Sequence, residues 1–270
     1  MNFRMMQRGA VYAVLTVAAY VSVFPFFWML VASTNTMADI LKGKSSMGNS
    51  LWINITHLVE QVDLPLLFWN STKIAIVATV LTLIISSLAG YGFEIFRTRM
   101  SERAFAALLA MLSIPFAAIM IPLFISMARL HLINTHTAVI IPTVASIFII
   151  FYFRQATKAF PSELRDAALV DGLKEWQIFL YIYVPVMRST YAAATIIVFM
   201  ANWNNYLWPL IVLQTNEMKT LTLAVASLGS AYNPDYGVVM VATTLATLPT
   251  LIIFFTLQKQ FVQGLLGSVK

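Results

Sequence analysis

Long apolar segments alternate with short polar ones along the whole chain of 270 residues. An α-helix needs about 20 predominantly apolar residues to cross a bilayer, and six segments reach this length. They cover residues 10–33, 66–93, 104–128, 138–156, 189–213 and 236–257. The pattern therefore predicts an all-α, polytopic membrane protein with six transmembrane helices, in a single domain that covers residues 1–270.

The positive charges predict the orientation of these helices. Six spans put both termini on the same side, and cytoplasmic loops of membrane proteins carry an excess of Lys and Arg. If the N-terminus is inside, twelve of the 17 Lys and Arg residues fall in inner segments and four in outer loops, while Lys73 lies near the outer end of the second span. We therefore expect both termini in the cytoplasm. The net charge of +6 then reflects topology and not nucleic-acid binding.

One stretch in the middle of the chain, residues 161–185, is too polar to lie in a membrane. Nine of its 25 residues are Asp, Glu, Lys, Arg, Ser, Gln or Gly, in a chain that is 60% hydrophobic. Pro161 and Pro185 bound the stretch, and a turn signal at Asp171–Gly172 divides it. We expect two short helices here, on the cytoplasmic membrane surface between the fourth and fifth spans.

The first of these two helices offers small side chains beside acidic ones. Ala167 and Ala168 permit close approach, while Glu163 and Asp166 can pair with basic groups. This combination is suited to docking against another protein.

The sequence contains little that supports catalysis or metal binding. It has no Cys, and its three His residues lack the spacing of a zinc site. Gly43-Lys44-Ser45 resembles the end of a phosphate-binding loop, but Ala38 stands where that loop requires Gly. We therefore predict no catalytic residue, no metal site and no cofactor on this chain.

The predicted span interiors carry almost no charge, and only 10% of all residues are charged. A proton or sodium relay across a membrane needs ionisable side chains within the spans. We therefore expect the energy for any transport to come from another protein.

The fifth span is unusual because it contains a run of polar and aromatic residues: Asn202, Trp203, Asn204, Asn205 and Tyr206. Unpaired amides are costly in lipid, so this face should point to other helices or to a water-filled path. Two interpretations remain open. The amides form hydrogen bonds between helices, or they line a path for a hydroxyl-rich solute.

The polar stretch also resembles a family motif. Permeases of binding-protein-dependent ABC importers carry a cytoplasmic loop with Glu-Ala-Ala, three residues, Gly, nine residues and Ile-x-Leu-Pro. This chain keeps that spacing, with Asp for Glu and Val for Leu, in Asp166, Ala167, Ala168, Gly172, Ile182, Val184 and Pro185. The segments around Glu163, at 203–210 and at the C-terminus are also similar to the carbohydrate-uptake, maltose-type branch of this family.

The resemblance implies a set of partners. They are a second permease that completes a heterodimer, two ABC ATPases that bind ATP and Mg, and an extracytoplasmic solute-binding protein, all at a bacterial cytoplasmic (inner) membrane. Residues 161–185 would be the coupling segment on an ATPase, with contacts from Glu163, Asp166, Ala167, Ala168, Gly172, Ile182 and Pro185. The cytoplasmic tail 258–270 would add contacts from Gln260, Gln263 and Gly264.

Two other classes of protein predict different features. An ion-coupled secondary transporter or channel should carry buried acidic residues, and a membrane enzyme should carry a catalytic cluster. The sequence has neither feature. It leaves the solute open among oligosaccharides, monosaccharides, polyols and glycerol phosphate.

Overall fold

The computed structural model describes the backbone of residues 3–267 and the side chains of residues 8–262. Within this range the chain is all-helical, as predicted, and contains no strand. Short 3₁₀ turns occur at Ile141–Thr143 and Asn216–Met218, and one π-helix at Phe179–Tyr183. The α-helices of the described range are α1 (Phe3–Ser33), α2 (Met37–Leu41), α3 (Leu51–Gln61), α4 (Leu64–Ile95), α5 (Arg99–Met111), α6 (Phe116–Arg129), α7 (His136–Ile140), α8 (Ile147–Thr157), α9 (Ser162–Val170), α10 (Glu175–Ile178), α11 (Val184–Val186), α12 (Arg188–Trp203), α13 (Leu207–Val212), α14 (Leu221–Gly229) and α15 (Tyr236–Gly267).

Three helical stretches of the described range are long and apolar enough to cross a membrane by themselves: Arg8–Ser33, Leu64–Ile95 and Tyr236–Val262. Three bent helix pairs meet the same criteria of length and composition if each pair counts as one span. The pairs are α5 with α6, α7 with α8, and the Glu175–Val186 stretch with α12 and α13, bent by 101°, 40° and 80°. The six-span arrangement and its orientation therefore remain predictions.

The third predicted span differs most from a straight helix, because it bends at Pro115. Proline has no N–H and disfavours the α conformation of the residue before it, here Ile114. Accordingly α5 ends at Met111, and Pro115 is the residue that precedes α6. Pro122 lies inside α6 without ending it.

The chain contacts divide the molecule into two compact units, Met1–Leu64 with Ala224–Leu248, and Pro65–Leu223 with Pro249–Lys270. In the first unit, Leu58 of α3 packs against Val238, Val241 and Ala242 of α15. The buried amide of Asn54 donates to the backbone oxygens of Ser33 and Asn35 at 2.9 and 3.0 Å. This amide therefore fixes the end of α1 to α3.

The second unit is built around α4. One face of α4 carries small and hydroxyl side chains at helical spacing, and they are buried: Ser71, Ala75, Ala78, Thr82, Ser86 and Gly90. Ser71 Oγ accepts from the N–H of Leu221 at 2.7 Å, and Thr82 Oγ1 donates to the oxygen of Thr143 at 3.2 Å. Small side chains let neighbouring backbones approach. The hydroxyls of Ser71 and Thr82 then bond backbone groups of those neighbours at helix ends and breaks.

Gly90 marks the closest approach on this face. A Cβ atom at Gly90 would lie 2.6 Å from Cβ of Phe153 and 2.8 Å from the N atom of Arg154. Neither of these α8 atoms can move without a shift of the helix itself. The contact between α4 and α8 therefore requires glycine at position 90.

Arg154 of α8 is buried among groups from two other helices, with an exposed fraction of 5%. Its Nε lies 3.3 Å from Oε2 of Glu94 in α4, and its Nη2 donates to Glu102 in α5. Its Cζ lies 4.0 Å from the ring centroid of Phe105. Because a buried cation needs partners, these contacts hold α5 and α8 at the end of α4.

The close packing at Gly90 generates a test with a matched control. We expect Gly90→Ala to lower the melting temperature of the purified protein by about 2 °C or more, because overpacking costs about 1–3 kcal/mol. Gly92→Ala should leave the melting temperature unchanged or raise it slightly, since a Cβ there meets nothing within 4 Å. Equal melting temperatures for the two variants would contradict the packing described.

Candidate functional site

The polar stretch 161–185 forms the two helical pieces expected from its sequence. The first is α9, and the second runs from α10 through the π-helix into α11. Gly172 joins them with a φ of +82°, a conformation that favours glycine. The N–H groups of Gly172 and Leu173 donate to the oxygens of Leu169 and Ala168 at 3.1 and 3.0 Å. These two bonds form a Schellman cap, which ends α9 and fixes the turn.

One face of α9 is exposed, and on it Asp166 lies 3.9 Å from the Arg165 guanidinium. Glu163, Asp166, Ala167 and Val170 recur at helical spacing and are all exposed, Val170 to 88%. Ala168 lies on the opposite face and is only 4% exposed. The two alanines expected to form one docking face are therefore separated, because Ala168 packs inward and Val170 takes the outward position.

The inward face of α9 carries Arg165, which links the two helical pieces. Arg165 donates to both carboxylate oxygens of Glu175, with Nε 3.4 Å from Oε2. The hydrogen bond to Glu175 raises the pKa of Arg165 above its usual value, so the guanidinium stays charged. Tyr91 of α4 donates its hydroxyl to the same Oε2 at 3.1 Å. A chain of three side chains therefore joins α9 to α4.

An aromatic cluster anchors the second piece. The ring centroid of Tyr183 lies 4.8 Å from that of Tyr91 and 5.3 Å from those of Phe160 and Phe179. The hydroxyl of Tyr183 is 2.6 Å from Oγ1 of Thr157 at the end of α8. The second piece is therefore held to both α4 and α8.

The predicted contact residues Ile182 and Pro185 lie at the end of this anchored piece. Ile182 is partly buried and packs against the aromatic cluster, whereas Pro185 is exposed within α11. Just beyond, the chain turns by 80° into α12. These residues form the corner between the polar stretch and the fifth predicted span.

A cavity of about 370 Å³ lies in the second unit, next to α4. Its polar lining consists of Thr82, Thr143, Ser146, Asn202 and Asn205. Two interruptions of helical structure meet there: the break between α7 and α8, and the break between α12 and α13.

Aromatic rings form part of the apolar lining, namely Phe116, Phe148 and Trp208. Trp208 is 2% exposed, and its Nε1 donates to the oxygen of Ala138 at 2.8 Å. Phe116 meets the Trp208 ring edge to face at 6.1 Å. The indole is therefore held in one orientation by its own contacts.

The polar run of the fifth span contributes to this cavity only in part. Asn202 and Asn205 line it, whereas Trp203 is buried and accepts a bond from Thr222 at its backbone oxygen. Asn204 is exposed and its amide donates to the oxygen of Met200 in its own helix. Tyr206 is 41% exposed and is not part of the lining. The structure therefore brings together two of the five predicted residues.

The predicted tail contacts lie in the last part of α15. Gln260 is partly buried, and its Oε1 has no hydrogen-bond partner among the described residues. Gln263 and Gly264 belong to the helical backbone, but their surroundings lie outside the described side chains. Among the described residues, no three His, Cys, Asp or Glu side chains are grouped so that they could hold a metal ion.

Comparison with known proteins identifies the family. Residues 99–267 match the family described as binding-protein-dependent transport system inner membrane component. The chain belongs to this family. The matched residues include the polar stretch 161–185. The family match therefore agrees with the resemblance seen in the sequence motif.

Relatives resemble this inner-membrane component over almost its full length. The lactose transport system permease protein LacG of Rhizobium radiobacter is 65% identical over 96% of this chain and 95% of its own. The arabinooligosaccharides transport system permease protein AraQ of Bacillus subtilis is 36% identical over 92% of this chain and 90% of its own.

One solved structure shares the fold. A bacterial ABC transporter involved in import of the acidic polysaccharide alginate superposes with a TM-score of 0.80 over 97% of this chain and 99% of the matched chain. Its sequence identity is 21%, so the comparison establishes the fold alone.

Sequence reasoning missed three residues that matter for the structure and surface of the 161–185 segment: Tyr91, Glu175 and Val170. Tyr91 and Glu175 are 84 positions apart, and no local pattern pairs them. Val170 carried a usable signal, because it follows Glu163 and Asp166 at helical spacing.

The Tyr91–Glu175 bond can be tested by a double-mutant cycle. We expect Tyr91→Phe to lower the free energy of unfolding by about 1 kcal/mol, because it preserves the ring contacts of Tyr91 but removes its hydrogen bond to Glu175. The destabilisation by Tyr91→Phe should be smaller by about 0.5 kcal/mol or more when Glu175→Gln is already present. Melting temperatures of the purified variants measure both effects. Tyr181→Phe is the control, because Tyr181 is 66% exposed. Additive effects of Tyr91→Phe and Glu175→Gln would contradict the link.

Proposed function

We propose that this chain is a permease subunit of an ATP-driven ABC importer for carbohydrates. With a second permease it forms the path for a solute that an extracytoplasmic binding protein delivers. The observation that carries the proposal is the anchored segment 161–185, whose outer face on α9 is exposed while its inner face is bonded to α4. The names of the similar lactose and arabinooligosaccharide permeases support a sugar as the solute.

The proposed topology places the chain in a bacterial cytoplasmic membrane with six spans and both termini inside. Three continuous helices, the bent pairs α5 with α6 and α7 with α8, and the α12 and α13 part of the third bent pair provide the spans. The excess of Lys and Arg in the inner segments supports the orientation. The segment 161–185 then faces the cytoplasm, where ATPases are found.

Energy enters through the exposed face of α9. Val170 and Ala167 offer an apolar patch, while Glu163 and Asp166 are exposed carboxylates for basic groups of an ATPase. Two such ATPases bind ATP and Mg, and their closure moves the docked segment. Because Arg165, Glu175 and Tyr91 connect this segment to α4, the movement reaches the spans.

The helix α1 is the proposed contact with the second permease. In its apolar stretch only 6% of residues are buried, and it exposes a row of large hydrophobic side chains that includes Tyr12, Val17 and Tyr20. Such a surface must face lipid or another apolar protein. The tail around Gln260 would add a contact with the ATPases, which could supply a donor for its unpaired Oε1.

The alternative of an ion-coupled secondary transporter or channel is not favoured. The chain belongs to the family of binding-protein-dependent inner membrane components, and the similar LacG protein is a lactose transport system permease. No charged side chain lines the described cavity, so that cavity offers no ion relay.

The docking proposal is tested by reversing a charge at Asp166 and by introducing one at Val170 on the α9 face. In the assembled importer, Asp166→Lys and Val170→Asp should reduce solute-stimulated ATP hydrolysis by about tenfold or more, because each places an unfavourable charge in the docked interface. Membrane insertion and the amount of protein should be unchanged, since both side chains are exposed.

Lys158→Glu is the control for Asp166→Lys. It also changes the charge by two units, at an exposed residue that lies outside the α9 face. It should keep stimulated hydrolysis within about twofold. Normal stimulation in both face variants would overturn the proposal.

A further inference from the structure

The cavity beside α4 is lined by side chains that still have free hydrogen-bond donors and free hydrogen-bond acceptors. The amide of Asn205 makes no side-chain hydrogen bond within the described part of the chain, and it can donate and accept. Asn202 uses its Nδ2 on the oxygen of Val198 at 2.9 Å, which leaves its Oδ1 available. Ser146 accepts from the N–H of Ile149 at 3.4 Å, so its own hydroxyl proton can still be donated.

The cavity also lies where the backbone departs from regular helix twice. The chain is irregular between Ile140 and Ile147 and again between Trp203 and Leu207. Non-helical backbone within membrane spans is tolerated only where protein buries it or where it lines a water-filled cavity. Two such breaks face this cavity, so water or a polar solute inside it would satisfy backbone groups that the helices leave unpaired.

The lining selects for a particular chemistry. Hydroxyl groups donate and accept at once, so they match the mixed donors and acceptors of Asn205, Asn202 and Ser146. Phe148 and Phe116 provide apolar surface for the C–H face of a ring. The volume of about 370 Å³ lies at the lower end of the range of about 300–1,000 Å³ that small-molecule sites occupy. It suits one sugar ring better than a long oligosaccharide.

The lining contains no Asp, Glu, Lys, Arg or His among its described residues. A phosphate or carboxylate that entered would lose hydration and gain no counter-charge, which is strongly unfavourable. We propose that this cavity is a binding subsite for one neutral sugar ring of the transported solute, and that it discriminates against anionic solutes. The proposal rests on the proposed function, because a subsite in the path requires that the chain transports sugar.

The absence of Cys from the natural chain permits a direct binding test. Ala201→Cys places a single thiol in the cavity lining and leaves Asn205 intact. Membrane vesicles that contain the assembled importer, without nucleotide or binding protein, are treated with N-ethylmaleimide, and the mass of this chain reports alkylation. Lactose at high concentration, with arabinobiose as a second neutral probe, should slow alkylation of the thiol about tenfold. Protection on this scale corresponds to about 90% occupancy, which is reached when the sugar concentration is about tenfold above its Kd.

Three comparisons make the result specific. Met200→Cys, at the neighbouring exposed residue outside the lining, should be alkylated equally with and without sugar. Glycerol 3-phosphate should leave the thiol at position 201 unprotected. Adding Asn205→Leu to Ala201→Cys should remove the protection by neutral sugar, whereas Asn204→Leu should keep it, because Asn204 bonds within its own helix.

Failure of either neutral sugar to protect, or equal protection by glycerol 3-phosphate, would overturn the subsite. Protection that survives Asn205→Leu would overturn the assignment of that amide. The assay does not use ATP hydrolysis, so it is separate from the proposed function. That function fails instead if the wild-type importer shows no ATP-dependent uptake of any solute.

Discussion

The structure of the second unit depends on the need to satisfy backbone polar groups in an apolar protein. Straight helices meet this need internally, but this unit contains several helix breaks. The small, hydroxyl-bearing face of α4 supplies what the breaks require. Ser71 bonds the N–H of Leu221, Thr82 bonds the oxygen of Thr143, and Gly90 lets α8 approach to van der Waals contact. Replacing these residues with larger apolar ones would keep the hydropathy of α4 and lose the fold around it.

The same helix connects the candidate coupling segment with the candidate solute subsite. Tyr91 reaches the coupling segment through Glu175, and Thr82 lines the cavity. These two residues are nine positions apart, about 13 Å along one unbroken helix. Because a helix transmits displacement along its axis, movement of α9 by an ATPase would reach the cavity without a further hinge. The anchoring of the second helical piece by Tyr183 to Thr157 provides a parallel connection through α8.

Much of the function could be predicted from sequence because it depends on spacing and composition. The motif from Asp166 to Pro185 is local, and the family match agrees with it. The individual roles of its residues were harder to assign. Ala167 and Ala168 are adjacent in sequence but lie on opposite faces of α9, so only one of them can meet a partner. The run from Asn202 to Tyr206 likewise splits between cavity lining, buried packing and exposed surface, because the helix ends within it.

The sequence by itself determined that this chain is an all-helical membrane protein with a polar, family-motif segment at 161–185, because hydropathy, charge bias and motif spacing are properties of residues close together in the chain. The tertiary structure alone decided which residues act together. Tyr91 with Glu175, Glu94 with Arg154, and Thr82 with Asn205 are separated by 60 to 123 positions. The first two pairs bond to each other, and the third lines one cavity, only because α4 packs against distant helices. No local pattern records where a helix bends or which of its faces is covered.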